Sequence, residues 1–375
     1  MHFEKYPFEK LNILLEDIIP NTKYSPLSLT IGEPQFNTPQ FILDELNNEA
    51  HLLNKYPKTS GESILRNGML NYLKNRFNLE LDNSQIIPTF GTREVLFNFP
   101  QFLLHNIENP VMAFPNPFYQ IYEGSAIASR AEVIYLNLDP ENSFLPIIDE
   151  DKLKKCDFVI INSPNNPTSS VMTLELLKEW VQLALKYDFV LLNDECYVDL
   201  YLDKPIPSLL NASIEAGNVD FKNILVINSV SKRSSAPGLR SGFIAGDSNI
   251  LKSYMTYRTY IGCASPLPLQ YASALAWGDQ NHVDTFREKY IKNFKLAKEI
   301  LNIEAPMATF YIWLEVDDEI KFTKKLYREY NIKVLAGSFL GREEQGKGFV
   351  RLALVYEEDL TRDALNRIKA CLDED

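Results

Sequence analysis

A lysine in a serine-rich loop has the clearest chemical potential of any residue in this sequence. Lys232 lies in SVSKRSSAPGLRSGF (229–243), directly after an apolar run, and Arg240 follows eight residues later. A lysine removed from water near other cations has a depressed pKa and can attack a carbonyl to form an imine. Ser229 and Ser231 can donate hydrogen bonds to a phosphate, and the planar guanidinium of Arg240 can donate two parallel hydrogen bonds to it. The stretch suits an aldehyde cofactor that bears a phosphate, whereas the alternative for Lys232 is a solvated loop lysine.

An acidic residue and two polar residues could hold the ring of such a cofactor. Asp194 follows the apolar run DFVLLN, Tyr197 comes three residues later in DECY, and Asn166 lies in SPNNPT. A carboxylate that keeps a pyridine nitrogen protonated turns the ring into an electron sink for a carbanion. Tyr197 and Asn166 would reach the 3′-oxygen of that ring. The structural alternatives are a helix N-cap for Asp194 and an ordinary Asn-Pro turn for Asn166 and Pro167.

A second phosphate-binding element is predicted at the start of a helix. In TFGTREVLFNF (89–99), Gly91 and Thr92 precede an apolar helical pattern. The backbone N–H groups of Thr92 and Arg93 would bind a phosphate there, and the helix dipole would favour its negative charge. A simple threonine helix cap is the alternative for Thr92.

Two further residues are candidates for contacts with the ring and the substrate. Tyr119 of PNPFYQ would stack on the ring, and the alternative for it is burial in the core. Arg351 of FVRLALV (349–355) would hold a substrate α-carboxylate in its guanidinium fork, and the alternative is a salt bridge. GREEQGKG (341–348) resembles a nucleotide-binding P-loop, but Gly348 replaces the Ser or Thr that ligates magnesium and a predicted strand follows. We therefore predict no nucleotide site there.

The elements that position these residues alternate between short apolar runs and helical patterns. The predicted strands of the first part are PVMAF (110–114), AEVIYL (131–136), DFVIIN (157–162), DFVLLN (188–193), NILVIN (223–228) and GFIAG (242–246). The predicted helices include 60–77, 94–104 and 173–187. This alternation predicts an α/β fold in which a mostly parallel central sheet is flanked by helices. Polar motifs follow four of the strands, so they should meet in the crevice beyond the carboxyl ends.

From about residue 280 the pattern changes to long helices and two strands, YIWLEV (311–316) and FVRLALV. We therefore predict a large cofactor-binding domain over residues 31–279. A smaller α/β domain would combine residues 1–30 with residues 280–375. A length of 375 residues agrees with more than one core.

Composition excludes several classes of function. The chain has 38 Lys and Arg against 50 Asp and Glu, a formal net charge of −12, which argues against nucleic acid or an anionic membrane as the main partner. The scattered cysteines (Cys156, Cys196, Cys263, Cys371) suggest reduced thiols in a cytoplasmic protein. The histidines (His2, His51, His105, His282) lack metal-ligand spacing, so we expect no metal site. No apolar run is long enough to cross a bilayer.

Taken together, the motifs resemble the class I/II aminotransferases of fold type I, which use pyridoxal 5′-phosphate. The segments IGEPQFNTP, YPKTSGESILR, GTREVLF, SPNNPT, NDECY, SVSKRSSAPGLRSGF and FVRLALV occur in the family's order between residues 31 and 355. Several of the longer segments are most similar to bacterial succinyldiaminopimelate transaminases of lysine biosynthesis. One departure is Ser169, where the family usually has glycine, which implies a small backbone strain in that turn.

The resemblance assigns roles to individual residues. It implies that Gly32 and Arg351 bind the substrate carboxylate, and that Lys232 carries the cofactor. The other roles it implies are stacking by Tyr119, contact with the pyridine ring by Asn166, Asp194 and Tyr197, and phosphate binding by Ser229 and Arg240. Tyr56 resembles a tyrosine that family members lend to the phosphate of the partner subunit, so the resemblance also implies a homodimer with shared active sites.

The sequence leaves two rival functions to weigh. The first is a different amino-acid aminotransferase (aspartate, aromatic or methionine type) or a carbon–sulfur lyase on the same scaffold. The second is a DNA-binding regulator that retains the cofactor fold. The regulator would need an added DNA-binding domain and a basic surface, whereas here the motifs begin at residue 31 and the net charge is −12.

Overall fold

The computed structural model describes residues 3–374. Within them the chain forms twelve β-strands, β1 to β12: Leu27–Ser28, Ile86–Thr89, Val111–Asn116, Glu132–Asn137, Phe158–Asn162, Val190–Asp194, Ile224–Ser229, Gly242–Gly246, Tyr311–Glu315, Ile332–Lys333, Leu335–Ala336 and Phe349–Ala353. The same residues form fourteen α-helices, α1 to α14: Pro7–Leu15, Gln40–Asn48, Ser63–Phe77, Thr92–Leu103, Ile121–Ser129, Glu150–Leu153, Leu174–Tyr187, Leu209–Glu215, Val230–Arg233, Ser248–Ile261, Leu267–Gly278, Asn281–Leu301, Glu319–Tyr330 and Glu358–Asp373. Short 3₁₀ helices span Glu49–Asn54, Pro140–Asn142, Pro237–Leu239 and Gly337–Phe339.

A seven-stranded sheet forms the centre of the fold, with the strand order β2-β8-β7-β6-β5-β3-β4. The pairs from β7 to β4 are all parallel, whereas β8 runs antiparallel to both of its neighbours. Successive residues of a strand point to opposite faces. In β5, accordingly, Val159 and Ile161 pack in one core cluster while Phe158 and Ile160 pack in another. Both faces of the sheet are covered, as the apolar runs predict.

The N-terminal segment contacts the last third of the chain. Strand β1 pairs in parallel with β10, with Leu27 opposite Ile332. Strands β11, β12 and β9 form a separate antiparallel sheet. Leu27 also packs in a core cluster with side chains of α12, α13 and α14. The division into domains at residues 31 and 279 stays a prediction, and residues 1, 2 and 375 of the predicted small domain lie outside the described residues.

The predicted fold class is confirmed, with shifts at the ends of elements, one strand of the large sheet missed and the two-residue strands β1, β10 and β11 also missed. Each of the six predicted strands of the large sheet forms, and their bounds differ from the prediction by two residues or fewer. The helix predicted from residue 60 begins at Ser63, and Arg351 lies in the middle of β12. Strand β2 was not predicted. The segment after GREEQGKG is a strand, which agrees with the rejection of a P-loop.

None of the helices within residues 3–374 has the length and apolar character that a bilayer-spanning helix requires. Over the same residues, no three or more His, Cys, Asp and Glu side chains cluster in a way that could hold a metal ion.

Candidate active site

A cleft of about 750 Å³ opens at the carboxyl ends of β5, β6 and β7. It is lined by almost every residue predicted for the site: Gly32, Thr92, Arg93, Tyr119, Asn166, Asp194, Tyr197, Ser229, Ser231, Lys232, Arg240 and Arg351. The convergence follows from the topology, because parallel strands end at one edge of the sheet and the loops after them meet there.

Lys232 lies in the single-turn helix α9, which follows β7 without an intervening loop. Its Nζ donates a hydrogen bond to the carbonyl oxygen of Gly32. Burial lowers the pKa of Lys232 to about 8, and the positive charges of Arg351 and Arg240 act in the same direction. A larger fraction of this amine than of a solvated lysine is therefore neutral near physiological pH, and the neutral amine is the nucleophilic form. Lys232 is not the solvated loop lysine of the alternative interpretation.

Asp194, the last residue of β6, is buried and has no ion pair with a described residue. Its Oδ2 accepts a hydrogen bond from the Tyr122 hydroxyl at 2.9 Å, and its Oδ1 accepts one from the Cys196 backbone N–H at 3.2 Å. Burial raises the pKa of Asp194, although these hydrogen bonds oppose the change. A buried carboxylate with only neutral partners is suited to bind a cationic group of a ligand. The bond to Cys196 closes a local turn, so Asp194 is not a helix cap.

Two elements beside Lys232 form the part of the cleft that is predicted to bind a phosphate. Helix α4 begins at Thr92 with Gly91 as its N-cap, so no side chain caps the first N–H groups and Thr92 is not the cap. Gly91 has φ of +75°, and a Cβ there would lie 2.3 Å from Nη2 of Arg240. The Ser229 and Ser231 hydroxyls lie 2.8 Å apart on the other side. The positive φ favours glycine at position 91, and the guanidinium of Arg240 lies in the space that a side chain there would enter.

Arg351 is a buried guanidinium without an acidic partner among the described residues. Its Nη1 donates to Oδ1 of Asn166 at 2.7 Å, and its Nη2 donates to the backbone carbonyl of Thr30 at 2.5 Å. Its Nε has no hydrogen-bond partner within residues 3–374. An unsatisfied donor on a buried cation is costly, and a carboxylate would satisfy it. The alternative of a salt bridge is therefore wrong for Arg351, and Asn166 does more than form a turn.

Aromatic residues line the rest of the cleft. The Tyr197 and Tyr311 hydroxyls are hydrogen-bonded at 2.9 Å, and burial raises the pKa of Tyr197. The Arg351 guanidinium carbon lies 4.5 Å from the centre of the Tyr311 ring. The Tyr311 hydroxyl also occupies the space that a side chain at Gly32 would need. Tyr119 is half-buried, and its hydroxyl accepts hydrogen bonds from Nη2 and Nε of Arg93 at 2.9 and 3.1 Å.

Tyr56 is the one predicted site residue that the structure does not bring to the cleft. Its side chain is fully exposed in the single chain, and it does not line the cleft. Its predicted contact is with a partner subunit, so its place in a site stays a prediction.

Several residues of the cleft were missed by the sequence analysis. They are Tyr122, which donates to Asp194, Tyr311, which contacts Gly32 and Arg351, and the N-terminal residues Tyr6, Pro7 and Phe8. Tyr122 lies three residues after the predicted Tyr119, and its backbone N–H donates to the Tyr119 carbonyl oxygen, so the PNPFYQ motif marked its neighbourhood. The N-terminal residues had none, since they reach the cleft only through tertiary packing.

The fold and the cleft are those of the fold-type I enzymes that use pyridoxal 5′-phosphate. Within that class the chain belongs to the class I and II aminotransferases, whose family model matches residues 25–368. The crystal structure of aminotransferase AspB from Helicobacter pylori is 49% identical, with a TM-score of 0.98 over 100% of both chains. An aminotransferase structure from Neisseria meningitidis is 39% identical, with a TM-score of 0.94 over 99% of this chain and 98% of that one. An LL-diaminopimelate aminotransferase from Halothermothrix orenii is 29% identical over 92% of this chain and 90% of its own length.

The residues of the cleft fit the cofactor on which this family depends. Pyridoxal 5′-phosphate presents an aldehyde, a dianionic phosphate and a basic pyridine nitrogen. The cleft provides a depressed-pKa amine at Lys232 and a buried carboxylate without a cationic partner at Asp194. The uncapped start of α4 and the Arg240 guanidinium complement the phosphate.

Proposed function

We propose that this aminotransferase moves an amino group between N-succinyl-LL-2,6-diaminopimelate or glutamate and a 2-oxo acid such as 2-oxoglutarate, in the diaminopimelate branch of lysine biosynthesis. Two observations support this substrate. Motifs such as GTREVLF and SKRSSAPGLRSGF resemble the succinyldiaminopimelate transaminases, and several relatives carry the name LL-diaminopimelate aminotransferase. The proposed reaction rests mainly on the desolvated Lys232 amine. This amine shares a cleft with Asp194 and Arg351, neither of which forms an ion pair with a described residue.

Each part of the cofactor has a set of side chains that would hold it. The backbone N–H groups of Thr92 and Arg93, the Ser229 and Ser231 hydroxyls and Arg240 would bind the phosphate. Asp194 would pair with the ring nitrogen, Tyr197 and Asn166 would contact the 3′-oxygen, and Tyr119 would stack on the ring. When bound, pyridoxal 5′-phosphate supplies an electron-withdrawing ring that stabilises negative charge at the substrate α-carbon.

Lys232 would also move the proton of the reaction. Its Nζ accepts the α-proton of the amino donor in the first half of a ping-pong cycle. In the return half, it delivers a proton to the α-carbon of the acceptor. A base whose pKa is about 8 is well matched to proton transfer near neutral pH, and a positioned base of this kind contributes about 10²–10⁴-fold.

Arg351 orients the substrate for that transfer. Its free Nε and its Nη groups would bind the α-carboxylate, while Asn166 and the Thr30 carbonyl keep the guanidinium plane fixed. A guanidinium held by the protein at two of its three nitrogens positions the α-carbon as well as attracting the charge. Gly32 would contact the carboxylate through its backbone, since the Tyr311 hydroxyl occupies the space that a side chain at position 32 would need.

A homodimer in the cytoplasm is part of the proposal. The fully exposed Tyr56 would reach the phosphate of the partner subunit. Sedimentation of the holoenzyme tests the dimer. The shared site is tested by mixing Tyr56→Phe and Lys232→Ala subunits, because the mixed dimer would contain one complete active site and regain part of the activity.

The substrate is tested with a panel of half-reactions. The holoenzyme is mixed with a single donor, and conversion to the pyridoxamine form is followed by absorbance. We expect fast conversion with succinyldiaminopimelate and glutamate. Fast conversion with aspartate or an aromatic amino acid alone would indicate a different aminotransferase, in line with the 26% identical aspartate aminotransferase structure from Thermotoga maritima. Release of thiol from cystathionine would indicate a carbon–sulfur lyase.

A further inference from the structure

The hydroxyl of Ser234, two residues after Lys232, belongs to a hydrogen-bonded chain that the proposed reaction does not use. Nε2 of His282 lies 2.9 Å from Oγ of Ser234, and Nδ1 of the same ring lies 2.6 Å from Oδ2 of Asp279. Ser234 is 0% exposed and His282 is 9% exposed, and none of the three side chains lines the cleft. The chain therefore lies outside the cleft and ends in the segment that carries the amine.

The surroundings of His282 assign the protonation state of its ring. The carboxylate of Asp279 can only accept hydrogen bonds, so Nδ1 carries the proton, and the backbone N–H of His282 donates to the same oxygen at 2.9 Å. Burial lowers the pKa of His282, and the charge of Arg233 acts in the same direction, whereas Asp279 and Asp199 oppose the change. The ring is therefore neutral near neutral pH, and its Nε2 accepts the hydrogen bond that the Ser234 hydroxyl donates.

The same three residue types form the catalytic triad of many hydrolases, but here they are placed differently. The Ser234 hydroxyl is buried outside the cleft, so no substrate can reach it. The backbone N–H of Ser234 donates to the Val230 carbonyl oxygen at 2.9 Å and closes the turn of α9, whose third residue is Lys232. A helix of four residues has little stability of its own. The bond from Ser234 to His282 therefore restrains the turn that carries the amine.

His282 lies in the first turn of α12, a helix that also packs against residues of the cleft. The His282 ring contacts the Phe286 ring one turn later, with the two ring centres 6.1 Å apart. Phe286 and Tyr290 pack in one apolar cluster with Tyr197, which lines the cleft. The bond at His282 thus connects the turn of Lys232 to a helix whose position is set by packing at the aromatic side of the cleft.

We propose that His282 is a positioning residue for Lys232: its ring holds the Ser234 hydroxyl, fixes the α9 turn against α12 and so keeps the amine at its buried place in the cleft. The inference rests on the role of Lys232 in the proposed function, and it adds a residue that touches neither cofactor nor substrate. Burial is the main cause of the low pKa of Lys232. A turn that is free to shift lets the amine approach water, and the pKa of the amine then rises towards the ordinary value of a lysine.

Three variants separate the two hydrogen bonds of the His282 ring. Ser234→Ala removes the hydroxyl that donates to the ring. His282→Asn keeps an amide near the position of Nδ1, where it can still bond to Asp279, but it is too short to reach Ser234. His282→Gln places its amide oxygen near the position of Nε2. Ser213→Ala is the matched control, because Ser213 is also 0% exposed and outside the cleft, and its hydroxyl donates to the Asn218 carbonyl at 2.8 Å.

The readout is the pH midpoint for acetylation of Lys232 in the cofactor-free, full-length protein, measured by mass spectrometry of the Lys232 peptide. Ser234→Ala and His282→Asn should each raise this midpoint by about half a pH unit to one unit, the size of one hydrogen bond expressed as a change in pKa. The double variant should shift no more than the larger single shift, because both changes remove the same bond. His282→Gln should stay close to the wild type. Ser213→Ala should lower the free energy of unfolding in urea as much as Ser234→Ala does, and leave the midpoint unchanged.

An unchanged midpoint in Ser234→Ala, additive shifts in the double variant, or an equal shift in Ser213→Ala would overturn the proposal. Ser234→Ala removes a single oxygen atom, so its result does not depend on whether the His282 variants fold. The outcome is also independent of the proposed function, because acetylation is measured without cofactor or substrate. If borohydride reduction of the holoenzyme labels a different lysine, the proposed function fails, whereas the midpoint shifts would still show that His282 positions Lys232.

Discussion

Nε of Arg233, the residue directly after Lys232, donates to Oδ2 of Asp199 at 2.7 Å in a fully buried ion pair. The same carboxylate accepts from the Tyr72 hydroxyl at 2.9 Å and from Nε of Arg76 at 3.0 Å. Asp199 lies on the loop that follows Asp194, so the pair joins the two segments that carry the acid and the amine of the site. A short helix such as α9 has little stability of its own, and the Arg233–Asp199 ion pair fixes its orientation.

Loss of the Arg233–Asp199 ion pair should destabilise the protein strongly. Arg233→Met should lower the free energy of unfolding by about 3 kcal/mol. This value is at the lower end of the range for breaking a buried ion pair, because Arg76 would still pair with Asp199. Arg362→Met is the control, since Arg362 and Glu358 are 43% and 51% exposed, and it should cost less than about 1 kcal/mol. Urea unfolding of both variants provides the measurement. Similar losses in the two variants would show that the buried pair has no special role.

At Ser169, backbone strain destabilises the turn whereas side-chain hydrogen bonds stabilise it. Ser169 has φ of +63°, the left-handed conformation that favours glycine, which agrees with the strain implied by the sequence. Its hydroxyl lies 2.5 Å from the Thr309 hydroxyl and donates to the Tyr311 carbonyl at 3.0 Å. Ser169→Ala keeps the strain and loses both bonds, at a cost of about 2–3 kcal/mol, whereas Ser169→Gly recovers about 1 kcal/mol of that loss. Thermal unfolding should rank wild type above Gly and Gly above Ala. A Gly variant more stable than the wild type would mean that strain outweighs the hydrogen bonds.

The depressed pKa of Lys232 predicts the pH at which its amine becomes reactive. Only the neutral amine is nucleophilic, and its fraction rises as the pH increases through about 8. From pH 7 to pH 9, acetylation of Lys232 in the cofactor-free protein should rise about tenfold and then level off. Competitive labelling with acetic anhydride, followed by mass spectrometry of the Lys232 peptide, measures this directly. A rate that keeps rising beyond pH 10 would mean that burial does not shift the pKa of the amine.

Arg351 should act on the substrate and not on the cofactor. Arg351→Lys keeps the charge but loses the planar fork and the bond to Asn166, so we expect KM for the amino donor to rise by about tenfold or more. The absorbance spectrum and the cofactor content should stay the same, since Arg351 holds no part of the phosphate or the ring. A variant with an unchanged KM, or one that loses the cofactor, would contradict this role.

The sequence predicts the parallel part of the sheet well, because its buried strands are continuous apolar runs that end in polar motifs. Strand β2 was missed since IIPT is short and contains Pro88, which is tolerated there because β2 lies at the edge of the sheet. The antiparallel direction of β8 had a signal that the prediction did not use. Residues 230–241, which separate β7 from β8, are about the minimum length for a parallel crossover, and this Ser-rich stretch with Pro237 and Gly238 lacks the pattern of the α-helix that such a crossover usually contains.

The predicted site residues were found through motifs, whereas most of those that were missed lie outside any motif. Lys232, Asp194 and Asn166 occur directly after strands, so topology brings them together. The contacts of Tyr311 with Gly32 and of Arg93 with Tyr119 depend on side-chain packing between distant elements, which a single sequence does not specify. The same limit applies to Tyr6, whose approach to Arg93 depends on how the N-terminal helix packs.

The central claim is that the Lys232 amine condenses with the cofactor aldehyde. The most direct measurement is borohydride reduction of the holoenzyme, followed by peptide mapping by mass spectrometry. We predict that the reduced pyridoxyl group lies on Lys232, and that Lys232→Ala shows neither the label nor turnover. A label on another lysine, or normal activity of Lys232→Ala, would contradict the account.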